Sequence, residues 1–375
     1  MSKFPVSKFQ HLLLSWFRRS ARDLPWRRTK DPYKIWVSEI MLQQTQVVTV
    51  IPYYQKWIKR FPSVESLARA PLSEVMKYWA GLGYYRRVRM LHEGAKKIVK
   101  KYGGQVPNDV HALMKLPGIG RYTAGAIASI AFGISAPILD GNVIRILTRI
   151  FAIKKDIQKP ETKRQLWELS SVLVPNKNPG AFNEAMMELG ATVCLPENPS
   201  CGKCPVSKMC RAHLKGKETA YPVNSKDHRL EKLTNVALIL IWDGKVLLQK
   251  QPAGGRWGGL WMFPFWKDRQ TMRTETGLRD EDLKHLMTVR HGFTKYQIAL
   301  KVFQMQDTRF KMRESKTQIQ DTRYKILDKK NNSLASGILH LESRRNFRWI
   351  PLQKLASLAL PSPHKKIAEK ILSSI

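Results

Sequence analysis

Four cysteines fall in one stretch, Cys194, Cys201, Cys204 and Cys210, with the spacing C-x6-C-x2-C-x5-C and no other cysteine in the chain. Such a set, in a chain without a secretory signal, points to a metal centre rather than to disulfides. Four thiolates suit zinc or an iron–sulfur cluster, and spacing alone does not choose between them. A carboxylate, Glu39, interrupts an otherwise apolar helical pattern. It is either a salt-bridged helix residue or a proton donor with a raised pKa. A second carboxylate, Asp140, lies in the apolar run Pro137-Ile138-Leu139-Asp140-Gly141-Asn142 and is either a helix N-cap or a chemical group. Between them lies Leu116-Pro117-Gly118-Ile119-Gly120, followed by the small-residue stretch from Arg121 and Tyr122 to Ala128. Gly118 and Gly120 permit a tight turn, and the helix start behind them offers N–H groups to an anion. Helix, glycine turn, helix is a shape that grips a DNA phosphate through backbone groups, without reading sequence.

Helices must position these groups. Apolar spacing predicts helices near 5–22, within 34–57, to about Tyr102 after the turn Gly81-Leu82-Gly83, and near 142–152, 160–174 and 178–192. Ser63 reads as an N-cap, and the segment 109–116 as a short helix before the glycine turn. Residues 1–221 therefore form an all-α domain that includes the cysteine loop 194–210, with a linker at 222–234. The pattern then changes. Val236–Trp242 and Lys245–Lys250 around Asp243-Gly244 predict a β-hairpin, with strands at 297–305, 322–328 and 346–350 and helices near 277–287 and 363–373. Residues 235–375 are thus expected to form an α+β domain. The polar segment 306–345 holds a small echo, 306–310 against 320–324, which is a chance repeat or two neighbouring strands.

The chain has 65 Lys+Arg against 29 Asp+Glu, a net charge of +36, and both parts share the excess. A polyanion is the expected partner, with nucleic acid first. Leu12-Leu13-Leu14 is too short for a signal or a membrane span, so no membrane partner and a cytoplasmic, nucleoid-associated monomer are expected.

Taken together, the motifs bring a family into view. Leu116-Pro117-Gly118-Ile119-Gly120 with Asp140 resembles the helix-hairpin-helix, Gly/Pro-rich, aspartate superfamily of DNA glycosylases. The cysteine spacing resembles the [4Fe-4S] loop of its endonuclease III branch. Ser38–Gln46, Gly81–Tyr85 and Met186–Gly190 look like the adenine-releasing MutY subgroup, and Trp257–Pro264 resembles its Nudix-like domain. The likeness covers nearly the whole chain, in the right order. It implies a helix-hairpin-helix glycosylase domain carrying a [4Fe-4S] cluster on Cys194, Cys201, Cys204 and Cys210, then a Nudix-like lesion-recognition domain.

The resemblance further implies excision of adenine mispaired with 8-oxoguanine or guanine in double-stranded DNA. By that likeness Glu39 is the acid and Asp140 the ionised group that stabilises the sugar cation. Tyr122 stands where lyase relatives carry a lysine, which implies base removal without strand cleavage. Trp26, Arg27, Leu42 and Glu188 match positions lining the adenine pocket. Gln44 and Tyr84 match residues that enter the base stack, with Thr45 and Leu82 beside them, and Gly118, Gly120 and Arg121 form the phosphate seat. One motif departs. The lesion-reading turn reads Phe293-Thr294-Lys295 where the family has Phe-Ser-His, which implies weaker discrimination between 8-oxoguanine:A and G:A. Glu275-Thr276-Gly277-Leu278 is too sparse in carboxylates for a metal-dependent phosphohydrolase, so the second domain is expected to recognise rather than hydrolyse.

Overall fold

The computed structural model describes residues 4–225, 230–252, 257–293, 296–305, 312–313, 325–326, 341 and 346–374. Two compact units emerge: residues 1–78 with 86–227, and residues 79–85 with 228–375.

The first unit is helical. Its helices are α1 (Val6–Ser20), α2 (Pro32–Leu42), α3 (Val47–Arg60), α4 (Val64–Arg69), α5 (Leu72–Trp79), α6 (Arg86–Tyr102), α7 (Val110–Met114), α8 (Arg121–Phe132), α9 (Gly141–Phe151), α10 (Pro160–Leu173) and α11 (Pro179–Thr192). Short polar residues start several of them. Asp31 caps α2 by accepting from Tyr33 and Lys34, Ser63 closes a capping box with Ser66 on α4, and Asp109 caps α7. α8 is the central helix: residues 123–130 are all buried, and α2 and α11 pack against it. Gly125 makes that packing possible. A Cβ there would stand 2.2 Å from the Pro137 carbonyl oxygen, so the chain leading to Asp140 lies directly on α8. Asn183 of α11 fastens the same crossing, donating to Ser129 Oγ at 2.8 Å and to the Ala136 carbonyl at 2.9 Å. Among the described residues no helix is long and apolar enough to cross a membrane.

The second unit holds β1 (Glu231–Ile239), β2 (Ile241–Trp242), β3 (Lys245–Lys250), β4 (Trp261–Met262), β5 (Phe265–Trp266), α12 (Arg269–Thr276), β6 (Leu283–Phe293), β7 (Tyr296–Met305), β8 (Met312–Arg313), β9 (Lys325–Ile326), β10 (Phe347–Pro351) and α13 (Ser362–Leu372). One sheet has the order β5-β1-β7-β6 and another β10-β3-β2, with β4 paired to β3. Along β1 the side chains alternate. Val236 and Leu238 join the core with Met272 of α12, while Ala237 and Ile239 join the core with Ile367, Ala368 and Ile371 of α13. An all-α part followed by an α+β part is the architecture expected.

Two details differ from the expectation. Asp243-Gly244, both at positive φ, turn only β2 into β3; most of the first predicted strand belongs to β1, which pairs in parallel with β7 from Glu231↔Tyr296 to Ile239↔Gln304. The helix expected near 277–287 is instead a 3-10 turn at Asp280–Asp282 running into β6. Gly277 at φ +69° ends α12 just before it, and Asp282 accepts from the Arg279 N–H at 2.7 Å. The echo at 306–310 and 320–324 and most of the 322–328 strand lie outside the described residues; Lys325–Ile326 pairs with Met312–Arg313.

Candidate active site

A cavity of about 540 Å³ opens where the ends of α2, α8, α9 and α11 meet the 3-10 turn Pro25–Arg28. It gathers Trp26, Arg27, Glu39, Leu42, Gln44, Thr45, Tyr122, Asp140 and Glu188 from the sequence candidates. Glu39 sits in the last turns of α2 and is 5% exposed. Burial lifts its carboxyl to about 7; the Tyr122 hydroxyl, in hydrogen-bond contact, opposes that rise, and the charges of Asp140 and Glu184 reinforce it. A carboxyl in that range holds a proton near neutrality and can deliver it. The Tyr122 hydroxyl also lies 3.1 Å from Met187 Sδ. Burial pushes the phenol well above its ordinary range, so Tyr122 stays neutral and a donor.

Asp140 is the N-cap of α9, and its Oδ1 accepts the Val143 N–H at 2.8 Å. Burial raises its pKa, while that amide and the nearby Arg145 charge work in the opposite direction. Cap and candidate chemical group are therefore the same side chain, aimed into the cavity by the helix it starts.

α11 supplies a second pair of carboxylates, one turn apart. Glu188 is fully buried and clasped by Arg22 through Nε at 2.7 Å and Nη2 at 2.8 Å, and by Arg27 Nη2 at 2.9 Å. Burial alone would raise its pKa, but these hydrogen bonds outweigh it and hold the group at about 2. Glu184 stands 3.7 Å from Arg27 Nε, and burial raises its pKa. Arg22 and Glu184 line the cavity and were not sequence candidates. The i, i+4 spacing of Glu184 and Glu188 on one helix face was the available signal. Trp26, 7% exposed, meets Tyr54 edge-on at 5.5 Å and forms an apolar wall.

The other candidates stand elsewhere. Gly118 has φ +77°, and a Cβ there would meet Met90 Cβ at 2.9 Å, so the turn demands glycine twice over. Buried Leu116 and Ile119 anchor the turn. Gly120 caps α8 without a side-chain bond, leaving the first-turn amides without a side-chain cap. Arg121 stacks on Trp167, its Cζ 4.0 Å from the ring centroid. Leu82 is buried and Tyr84 is 40% exposed; both belong to the turn Trp79–Tyr85, which groups with the second unit. Phe293 ends β6, and its side chain, with Thr294 and Lys295, lies outside the described residues.

Cys194, Cys201, Cys204 and Cys210 are all partly buried, on the loop that follows α11. Burial first, then the charge of Cys194, Cys210 and Cys201, pushes the Cys204 thiol up to about 12. The four sulfurs are thus electrostatic neighbours, neutral when protonated, and as a donor set they suit a four-thiolate metal group whose cation would displace the protons. Arg149 reinforces that fit, reaching Cys194 Sγ at 3.4 Å and donating to the carbonyls of Leu195 and Pro196 at 2.6 and 2.7 Å. His213 and Glu218, 2.6 Å apart, stand beside Cys201.

Comparison with known proteins agrees with this construction. Residues 37–171 match the model of the HhH-GPD superfamily base excision DNA repair proteins, and residues 236–370 match a NUDIX domain. The adenine DNA glycosylase of Homo sapiens is 52% identical over 216 residues, covering 55% of this chain and 40% of that protein. The chain thus spans less than half the length of that relative. A solved structure of a thermostable thymine-DNA glycosylase superposes with a TM-score of 0.52 at 34% identity, covering 56% of this chain and 97% of that one. The adenine DNA glycosylase of Buchnera aphidicola subsp. Schizaphis graminum is 31% identical over 368 residues, 96% of this chain and 98% of its own. Since that match runs through both the helical and the sheet-bearing unit, the chain belongs to the adenine DNA glycosylase family.

Proposed function

We propose that the protein removes adenine mispaired with 8-oxoguanine or guanine in double-stranded DNA, by hydrolysis and without cutting the strand. The observation that carries this reading is the Glu39 carboxyl, at about 7, held beside Tyr122 and Asp140 in one cavity. Adenine must leave the base stack before its glycosidic bond can be reached. Gly118–Arg121 would hold a backbone phosphate while Gln44 enters the vacated space. Glu39 would then protonate N7 of the extruded base. Ionised Asp140 would stabilise the developing oxocarbenium ion, and water completes the hydrolysis. A phenol at position 122 supplies no amine, so no Schiff base forms and an abasic site remains.

The four cysteines would hold a [4Fe-4S] cluster. Hydrolysis of this bond transfers no electrons, so the cluster when bound supplies a rigid tie for the loop rather than a reaction step. That loop presents Lys203, Lys208 and Arg211 to phosphates. Anaerobically purified protein is expected to show thiolate-to-iron absorption in the visible, and Cys204→Ser to lose it. Zinc in place of iron and acid-labile sulfide would instead favour a single-ion site.

Incubation with an 8-oxoguanine:A duplex, followed by mild alkali, tests the reaction. A strand break appearing only after alkali is expected. An intact strand after alkali would refute adenine release, and a break before alkali would refute the monofunctional reading. A T:G duplex in the same assay is expected to stay intact. Single-turnover rates on 8-oxoguanine:A and G:A duplexes measure the discrimination left by Thr294 and Lys295, expected to be weaker than in relatives with Phe-Ser-His.

A further inference from the structure

We infer that Arg87 is the positioning residue that sets the Gln43–Thr45 loop for entry into the base stack, so that adenine extrusion depends on a side chain outside the cavity. This rests on the reading that the chain excises adenine and that Gln44 enters the stack. Arg87 is half-buried near the start of α6 and is not among the residues lining the cavity. Its Nη1 reaches the carbonyl oxygens of Ile40 at 2.8 Å, Met41 at 3.1 Å and Gln43, while Nη2 donates to Thr45 Oγ1 at 3.1 Å. One guanidinium therefore holds the carboxyl end of the helix that carries Glu39 and both flanks of Gln44.

The local sequence explains why such a clasp is needed. The last turn of α2 contains no basic residue, so its final carbonyls and the negative end of its dipole are met from outside the helix. Gln44 takes a left-handed φ of +54°, a conformation that a residue with a side chain keeps only when its surroundings impose it. Its side chain is exposed at the cavity. The loop's other ties are long: Gln43 Nε2 to Thr123 Oγ1 at 3.5 Å, the Thr45 hydroxyl to the Gln43 carbonyl at 3.3 Å and the Thr45 N–H to the Leu42 carbonyl at 3.3 Å. The arginine fork spans the two sides of the loop at once. A lysine could restore the charge at the helix end but not the span.

The test compares paired and unpaired adenine. Arg87→Met, Arg87→Lys and Thr45→Ala are assayed in single turnover on an 8-oxoguanine:A duplex, and on a duplex whose target adenine faces an abasic-site analogue and so leaves the stack easily. Melting temperature and 2-aminopurine fluorescence at the target position are recorded in parallel. Arg87→Met is expected to slow release of the paired adenine by about 10- to 100-fold and of the unpaired one by less than about three-fold, since only the paired base must be levered out. Its 2-aminopurine signal should fall in step. Arg87→Lys should recover the melting temperature and only part of the paired rate. Thr45→Ala, which keeps the helix-end contacts, carries the test if Arg87→Met fails to fold, and should slow the paired substrate selectively. Equal slowing of both substrates, or none, overturns the inference. Absence of release by the unaltered protein on either duplex would instead overturn the excision reading.

Discussion

Replacing Glu39 by glutamine is expected to slow adenine release by about 10²- to 10⁴-fold, the usual contribution of a positioned acid, with mismatch binding retained. Glutamine keeps the shape of the side chain and a hydrogen bond to Tyr122 but has no proton to deliver. Single-turnover rates and filter-binding affinities separate the two properties; a variant that turns over normally would remove Glu39 from the acid role. The rate of the unaltered protein should fall as pH rises through about 7, where Glu39 loses its proton. The same shift bears on stability. Because the folded pKa lies above the unfolded value, the proton favours the folded state. Glu39 therefore costs nothing below pH 4.5, costs progressively more up to about 7, and costs a constant amount above that. Glu39→Gln should thus be more stable than the parent at pH 8, by up to about 3 kcal/mol on a scale of about 1.4 kcal/mol per pKa unit, and no more stable at pH 4. A pH series of denaturant melts checks both ends.

Glu188→Ala should be the most destabilising single change in the cavity wall. Glu188 is fully buried, and it receives the backbone N–H of Arg22 together with both arginine side chains. Removing it leaves part of Arg22 and the largely buried Arg27 facing a void, with only Glu184, 3.7 Å from Arg27 Nε, as a counter-charge, a loss of about 3–5 kcal/mol. The sign of its pH dependence is opposite to that of Glu39. The folded pKa of about 2 lies below the ordinary 4.5, so the clasp stabilises fully above pH 4.5 and is lost as pH falls towards 2. Glu188→Ala should therefore lie well below the parent at pH 7 and approach it in strong acid. A melting temperature at pH 7 within a degree of the parent would refute the clasp.

Much of the helical unit was legible because its signals are local. Ser63 and Asp140 were read as helix starts and cap α4 and α9; Asp31, Asp109 and the left-handed Gly133, which start α2 and α7 and end α8, are signals of the same local kind. Glu39 stood out as a charge in an apolar helix, and the cysteines by their spacing. Glu184 left a signal, its i, i+4 spacing to Glu188, whereas Arg22 and Arg87 were missed for one reason. Each acts on a partner far along the chain or on backbone carbonyls, such as Arg22 on Glu188 or Arg87 on the end of α2, and neither leaves a periodic trace. The misread strand has a different cause. Leu283, Leu286 and Met287 fall at i, i+3 and i+4, spacings that a helix uses, and the run of charges at 279–282 looks like a solvated helix face. Only the pairing of β6 with β7 along nearly its whole length reveals the period of two.

That pairing also sets an order of events. β1 emerges from the ribosome well before β7, the only strand among the described residues to which it pairs in parallel, and β7 pairs antiparallel with β6. β1 has to wait, with only Val236 and Ala237 paired to β5 and its exposed first half unpaired, until Tyr296–Met305 has been synthesised. The sheet therefore closes only when the last of its four strands has left the ribosome. Substitutions that weaken the β1–β7 ladder should lower the yield of intact protein during synthesis more than they lower the activity of molecules that finish folding.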